Sequence, residues 1–259
     1  MTPAEVWHNV ITERFLVRLY YSPYASHFIL KGGMLLAKHL KLGRETKDLD
    51  FAIERLSNEM SSLQKVFVEI ANIEMRDGFV FTNPTVKSLA HFHMQYSGAQ
   101  VKMKVNFGKA SFHLSVDLGF GDFVKVHEKE MLLLGDSQGP LFEPSVTLKC
   151  YPIEFVFAEK LETVIYRGAE NSRMKDFHDL HTMICTKDAV DREKTKNAID
   201  AVFSHRKTSL RLPIQFDAAA ITSLQAYWVR YRKTVTSGDT LPEHINQMLE
   251  IINKWLITS

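Results

Sequence analysis

The sequence predicts an α/β protein of the α+β kind: an N-terminal mixed sheet with flanking helices, then a C-terminal helical domain. Three observations predict it. Residues 28–53, FILKGGMLLAKHLKLGRETKDLDFAI, place two short apolar runs on either side of a glycine pair and a helical pattern. From Phe79 to Phe120 the apolar period is two. After Pro152 the apolar spacing becomes helical. The expected domains are residues 1–146 and 147–259, with the irregular stretch 125–147, punctuated by Gly135, Gly139, Pro140 and Pro144, as the boundary.

In order, residues 3–20 form a helix, with Thr2 as its N-cap and Pro3 at the first position. Val6, Val10, Phe15 and Leu19 form its buried stripe, and Ser22-Pro23 ends it. Phe28 to Leu30 form a strand that Gly32-Gly33 break; Met34 to Leu42 form a short helix, and Leu49 to Ile53 a second strand. A helix over 57–76 follows, with Val66, Phe67, Ile70 and Ile73 inward. Strands are expected at 79–81, 91–96, 100–107 and 112–120, with Ser97-Gly98 as a hairpin turn and a further strand at 130–134. Alternation of Val101, Met103, Val105 and Phe107 puts Lys102 and Lys104 on the other face. Helices are expected over 153–167, 172–184, 188–206, 217–233 and 241–257.

At 259 residues, with 45% hydrophobic and 24% charged residues and a net charge of +2, the composition is that of an ordinary globular protein. Two cysteines make neither a disulfide framework nor a metal motif, so a reduced, cytoplasmic chain is expected. No signal segment and no apolar run near the roughly 20 residues of a bilayer span are present, so no membrane partner is expected.

The chemistry concentrates in residues 28–53. Asp48 and Asp50 are two apart in a strand, so both carboxylates face the same side. Carboxylates held that close repel each other unless a cation lies between them. Mg²⁺ is the hard, oxygen-seeking ion that also leaves positions for phosphate oxygens. The glycine pair lets backbone approach a phosphate, and the following helix offers its N–H groups. The combination points to metal-assisted phosphoryl or nucleotidyl transfer. Alone, a D-x-D or a Gly-Gly turn is a common accident.

The ordered motifs resemble the DNA polymerase β-like nucleotidyltransferases, and within them the AbiEii/AbiGii-type toxins. They are K-G-G-M-x-L (31–36), G-R-x-T-x-D-L-D-F (43–51), A-E-K-L-x-x-x-I (158–165) and R-x-K-D-F-x-D-L (173–180). The resemblance covers residues 25–185. It implies that Asp48 and Asp50 bind Mg²⁺, two ions in the productive complex, with a third carboxylate from a neighbouring strand. Asp117 is the candidate and Asp122 the weaker alternative; the other reading of Asp117 is a strand Asp facing solvent.

The resemblance further assigns catalytic importance to Lys160 and Asp176. It gives Lys175 and Asp179 a supporting part in nucleotide binding, in an active site between the two domains; by their own chemistry Gly32 and Gly33 would receive phosphate, and Arg44 would contact a nucleotide phosphate or steady the Asp pair, since a guanidinium binds such oxygens with two prongs. The other readings are a solvated loop for Arg44, an exposed helical lysine for Lys160, and plain helix surface for Asp176 and Asp179. Where many polymerase β-like enzymes have Gly-Ser, Gly-Gly-Met here removes a hydroxyl near phosphate.

Two decoys compete. His178-Asp179 with His181 suggests a metal phosphohydrolase, but flanking helices supply no further ligands. His91 and His93 share a strand face without a third ligand. From Arg192 to Lys233 nine Lys/Arg oppose three acids, with Tyr227, Trp228 and Tyr231 among them, as in a nucleic-acid-binding surface or a helix surface balanced elsewhere. Arg230, Arg232 and Lys233 are the RNA-binding candidates. The expectation is transfer of a nucleoside monophosphate from an NTP to RNA, at a tRNA 3′ end, by a toxin encoded with an antitoxin that need not touch it. The alternatives are transfer to a protein hydroxyl and a non-catalytic nucleotide- or RNA-binding module.

Overall fold

Thr2 and Glu5 start the first helix by a reciprocal cap: the Thr2 hydroxyl accepts from the Glu5 amide at 3.3 Å, and the Glu5 carboxylate accepts from the Thr2 amide at 2.6 Å. In this computed structural model, which describes residues 2–89, 98–121 and 126–258, that helix, α1, spans Pro3–Tyr21. There follow β1 (Phe28–Lys31), α2 (Gly32–Ala37), β2 (Asp48–Ile53), α3 (Met60–Ala71), β3 (Phe79–Leu89), β4 (Gly98–Phe107) and β5 (Ala110–Phe120). Next come β6 (His127–Leu132), the two-residue strands β7 (Gly135–Asp136) and β8 (Gly139–Pro140), and β9 (Ser145–Cys150). The remainder is helical: α4 (Ile153–Arg167), α5 (Met174–Cys185), α6 (Arg192–Arg206), α7 (Ala218–Arg232) and α8 (Ile245–Ile257). The expected strand at 91–96, the Ser97 half of its turn, and Asp122, His91 and His93 lie outside the described residues.

The chain divides into two compact units. The first comprises Met1–Lys38 and Thr46–Tyr151; the second comprises His39–Glu45 and Pro152–Ser259. The first is a seven-stranded mixed sheet of order β3-β4-β5-β2-β1-β9-β6. The β2–β5 and β1–β9 pairs are parallel and the rest antiparallel. One face is apolar: Leu30, Leu49, Phe51, Val101, Val116 and Leu118 alternate inward and are buried. Phe15 of α1 stacks on Phe67 of α3, whose ring meets Phe28 edge-on. Burial of such side chains, each contributing about 1.5–3 kcal/mol, is the main force holding helices to sheet.

α1 departs from a one-sided stripe. Val10 through Leu19 are all buried, Glu13, Arg14 and Arg18 included, while Val6 at its outer end is 41% exposed. Such burial requires partners. Asp77 takes Arg14 at 2.7 Å and Arg18 at 2.8 Å; Glu143 pairs with Arg14, and Lys38 with Glu13 at 2.6 Å. Burial would raise the Asp77 carboxyl, but Arg18, the Phe79 amide and Arg14 bring it down to about 2.

Three expectations are revised. The strand β9, paired on both sides, begins inside the stretch expected to be an irregular connection; Val146, Leu148 and Cys150 alternate inward there. α2 begins at Gly32 and ends at Ala37, so the glycines open the helix and the predicted turn to Leu42 is absent. The strand predicted at 79–81 runs on to Leu89. A bulge between Thr82 and Thr85 absorbs Pro84, with Asn83 at φ +52°.

The second unit packs α4 against α5 and α6, and α8 against α5 and α7. Phe157, Phe177, Leu180, Leu224, Trp228 and Ile252 form its core. Residues 39–45 are held by Gly43, whose carbonyl accepts from the Thr236 amide at 3.0 Å and hydroxyl at 2.9 Å. Both cysteines are free. No helix among the described residues is long and apolar enough to cross a membrane.

Candidate functional site

The polar face of the first unit's sheet is set by register. Asp48 and Asp50 lie on one side of β2, with Leu49 between them on the apolar side. The parallel pairing with β5 puts Asp50 beside Asp117 and Asp48 beside Ser115. The antiparallel pairings add Lys31 beside Asp50, Gln100 beside Asp117, and Lys87 beside Gln100. One row, Lys31–Asp50–Asp117–Gln100–Lys87, therefore crosses five strands on the same face. Three carboxylates on two adjacent strands sit at its middle. Asp117 is half-buried and accepts from the Gln100 side-chain amide at 2.9 Å.

Gly32 approaches this face most closely. Its φ is +66°, a conformation natural to glycine. A Cβ there would lie 2.1 Å from Asp50 Oδ2 and 2.8 Å from Asp50 Cβ. Gly33 is the buried second residue of α2. The pair opens the six-residue α2, with Gly32 and Gly33 as its first two residues.

Four other predicted residues meet inside the second unit. Lys160 of α4 donates to Asp176 at 2.9 Å and lies 2.7 Å from Asp179. Arg44 makes a two-pronged pair with Asp179, at 2.7 and 2.6 Å. Arg173 reaches the second oxygen of Asp176 at 2.9 Å. Asp176 and Asp179, three apart on α5, are 1% and 0% exposed. Neither is plain helix surface, Lys160 is not an exposed lysine, and Arg44 is not in a solvated loop. Lys175 stands beside the network half-exposed and joins no ion pair among the described residues.

The network holds three cations and two anions, and their protonation follows from that pairing. Burial alone would lower Lys160, but Asp176 and Asp179 more than offset it and its pKa rises. Burial would raise Asp176, but Lys160 and Arg173 bring it down to about 2. Asp179 is likewise lowered, against burial, by Lys160 and Arg44. All five groups are charged at neutral pH.

His178, the core of the metal-hydrolase decoy, is spent internally. Its Nδ1 lies 2.8 Å from the Tyr231 hydroxyl and its Nε2 3.2 Å from the Ser237 hydroxyl. Burial pushes it down to about 4, so it is neutral and has no nitrogen left for a metal. In the basic stretch, Arg206 pairs with Glu162 at 2.7 Å, Arg192 donates to the Thr258 carbonyl, and Arg232 donates to the Gly238 carbonyl at 3.0 Å. Arg230 and Lys233 are exposed, as are Lys194, Lys196, Lys207 and Arg211.

Residues 14–250 match the family described as nucleotidyl transferase AbiEii toxin, type IV toxin–antitoxin system. The chain belongs to the AbiEii nucleotidyltransferase toxin family. It is a nucleotidyltransferase, as the resemblance of its motifs implied. Among solved structures it is similar to MenT4, a nucleotidyltransferase toxin from Mycobacterium tuberculosis, with a TM-score of 0.58 at 16% identity over 97% of this chain and 82% of that one. It is also similar to JHP933 from Helicobacter pylori, with a TM-score of 0.51 at 14% identity over 100% and 95% of the two chains. These likenesses show the shared mixed α/β fold. No curated protein matches in sequence.

The carboxylate face has the donor chemistry for a divalent ion: oxygen ligands only, charged, on adjacent strands. Among the described residues no three such side chains already converge on one point. An independent polar signal lies beside them. Ser115 Oγ, next to Asp48 in the register, is buried with no hydrogen-bond partner among the described residues. Such an orphan hydroxyl suits a hydrated ion at this face. Sequence reasoning missed Lys31, Gln100 and Ser115, because only strand register reveals that they stand beside the carboxylates.

Proposed function

We propose that this AbiEii-family protein transfers a nucleoside monophosphate from an NTP to an RNA acceptor, at the 3′ end of tRNA, and so blocks translation. The observation that carries the proposal is the carboxylate row: Asp48, Asp50 and Asp117 on one face, with Asp50 pressed against Gly32. Asp48, Asp50 and Asp117 are the residues that would hold Mg²⁺, as two ions. When bound, the metal offsets triphosphate charge and makes the acceptor hydroxyl more acidic. In the reaction, the acceptor oxygen bonds to the α-phosphorus, the bond to the β-phosphate oxygen breaks, pyrophosphate leaves, and the hydroxyl proton passes to solvent.

The chain's own residues have separate tasks. Gln100 orients Asp117, and Gly32 leaves room for Asp50. Lys160, Asp176, Asp179 and Arg44, together with Arg173, form a pre-organised charged cluster suited to triphosphate oxygens. Lys175 stands beside it as a further phosphate contact. The partner that goes with this family is a cognate antitoxin, which need not bind the protein.

The test is incubation of the purified protein with Mg²⁺, total RNA and each α-³²P-labelled NTP, beside an Asp48→Asn/Asp50→Asn control. Label on a tRNA-sized band, absent with the control, is expected and names the nucleotide. Label on added lysate protein instead would replace the RNA acceptor with a protein hydroxyl. Nucleotide binding without pyrophosphate release under any acceptor would replace the enzyme with a binding module.

A further inference from the structure

The polar sheet face does not end at the carboxylates. Beyond Asp117 it continues across β4 and out to the edge strand β3. The register places Lys102 beside Ser115 and Thr85, Lys104 beside His113, and Lys87 beside Gln100. Lys87, Lys102, Lys104 and His113 are all exposed. No carboxylate among the described residues pairs with the three ammonium groups. On this face of β3, β4 and β5 the described acid is Asp117 alone, and Gln100 holds it.

Three features make this face a bed for a polyanion rather than a generic charged surface. The opposite face of the same strands is the apolar core, so the lysines are held to one side by the strand period. Successive lysines on β4 are two residues apart, roughly 7 Å along the strand, a spacing on the scale of successive phosphates. The thread of positive charge also leads directly to the carboxylates. Lys102 is one strand over from Asp117, beside Ser115.

We propose that the acceptor RNA lies as an extended strand across β3, β4 and β5, its phosphates on Lys87, Lys102 and Lys104 and its reactive hydroxyl at the Asp48–Asp50–Asp117 row. The inference rests on the RNA-acceptor reading and gives that acceptor a position. It makes this face, rather than the basic stretch after Arg192, the main electrostatic contact. Several cations there are already bound to their own unit, Arg206 to Glu162 and Arg232 to the Gly238 carbonyl.

The test uses the full chain, an α-³²P NTP and tRNA, with steady-state kinetics at several salt concentrations. The Lys102→Gln/Lys104→Gln variant is expected to raise the KM for RNA at least tenfold, with the KM for NTP unchanged. The slope of log kcat/KM against log salt should fall by about 0.7 for each lysine lost, the value for single strands. Lys102→Arg/Lys104→Arg should restore both, and Lys65→Gln on α3 should change neither. Exposed lysines leave the melting temperature intact; should the pair lower it, Lys104→Gln alone carries the test.

An unchanged KM for RNA in the Gln pair would overturn the inference while leaving the RNA acceptor standing. The inference is equally overturned if Arg230→Gln/Lys233→Gln raises that KM and the β4 pair does not. If the wild-type protein labels no RNA at all, the proposed function falls, and this inference with it.

Discussion

The carboxylate of Asp50 fills the space that a side chain on Gly32 would need: a methyl group there would stand 2.1 Å from Asp50 Oδ2. The need for glycine here is set by the aspartate. Its positive φ and its missing side chain both serve to let the β1–α2 junction close over the carboxylate row.

Gly32→Ala is accordingly expected to act on activity more than on folding. The strained backbone costs about 1–3 kcal/mol. Asp50 is displaced by the order of an ångström, for which a loss of about 10²-fold in nucleotide transfer is typical. Thermal melts and transfer kinetics on the same preparation check this; wild-type turnover would disprove the steric link.

Gln100 acts through Asp117, to which it donates at 2.9 Å. Gln100→Leu removes that donor from the half-buried carboxylate and loosens its orientation. Groups that orient metal ligands are worth about 10–100-fold in metal affinity or activity. The expected readout is a rise of that size in the Mg²⁺ concentration for half-maximal transfer, with no change in the KM for NTP at saturating metal. A variant with normal Mg²⁺ dependence would show Gln100 to be a sheet residue only.

Lys160 is the hub of the buried ion network, and removing it takes away the one side chain that contacts both Asp176 and Asp179. Lys160→Met is expected to cost about 3–5 kcal/mol in chemical denaturation. Lys160→Met/Asp176→Asn should cost less than the sum of its parts, since the two side chains share one interaction. Strict additivity would mean that the 2.9 Å contact carries no coupling.

His178 sets an acid limit on stability. Burial holds its folded pKa at about 4, below its ordinary 6.5. The unfolded chain takes up a proton at a pH where the folded one does not, so stability falls as pH drops from 6.5 towards 4. Asp176, lowered to about 2 from its ordinary 3.8, adds a second loss that begins as pH falls through 3.8 and is complete below 2. Denaturation midpoints measured at about pH 7, 5.5 and 4.5 should decline in wild type. His178→Gln, which retains a hydrogen-bonding side chain without the titration, should flatten that part of the curve while lowering the midpoint at neutral pH.

Much of the candidate site was legible because its motifs are local. Asp48 and Asp50 face the same way in any strand, and Gly32-Gly33 marks a tight junction in any sequence. Motif order singles out Lys160 and the 173–180 run, with no indication that they are buried together. Arg44 is legible as a phosphate or carboxylate partner, but which carboxylate is not: its two-pronged contact with Asp179 crosses a long separation in the chain. β9 escapes notice because six residues of alternation amid glycines and prolines look like a loop until two strands flank them.

The sequence by itself determined the change from a strand-rich first part to a helical second part, the shared face of the two aspartates, and the family. Periodicity and spacing are properties of the local chain, and they survive without tertiary context. Only the tertiary structure decided that Asp117 stands beside Asp50, that Gln100 holds it, and that Lys102 and Lys104 continue the same face. Strand register is fixed by which apolar faces are buried together, and a one-residue slip would have sent each of these side chains to the other side of the sheet.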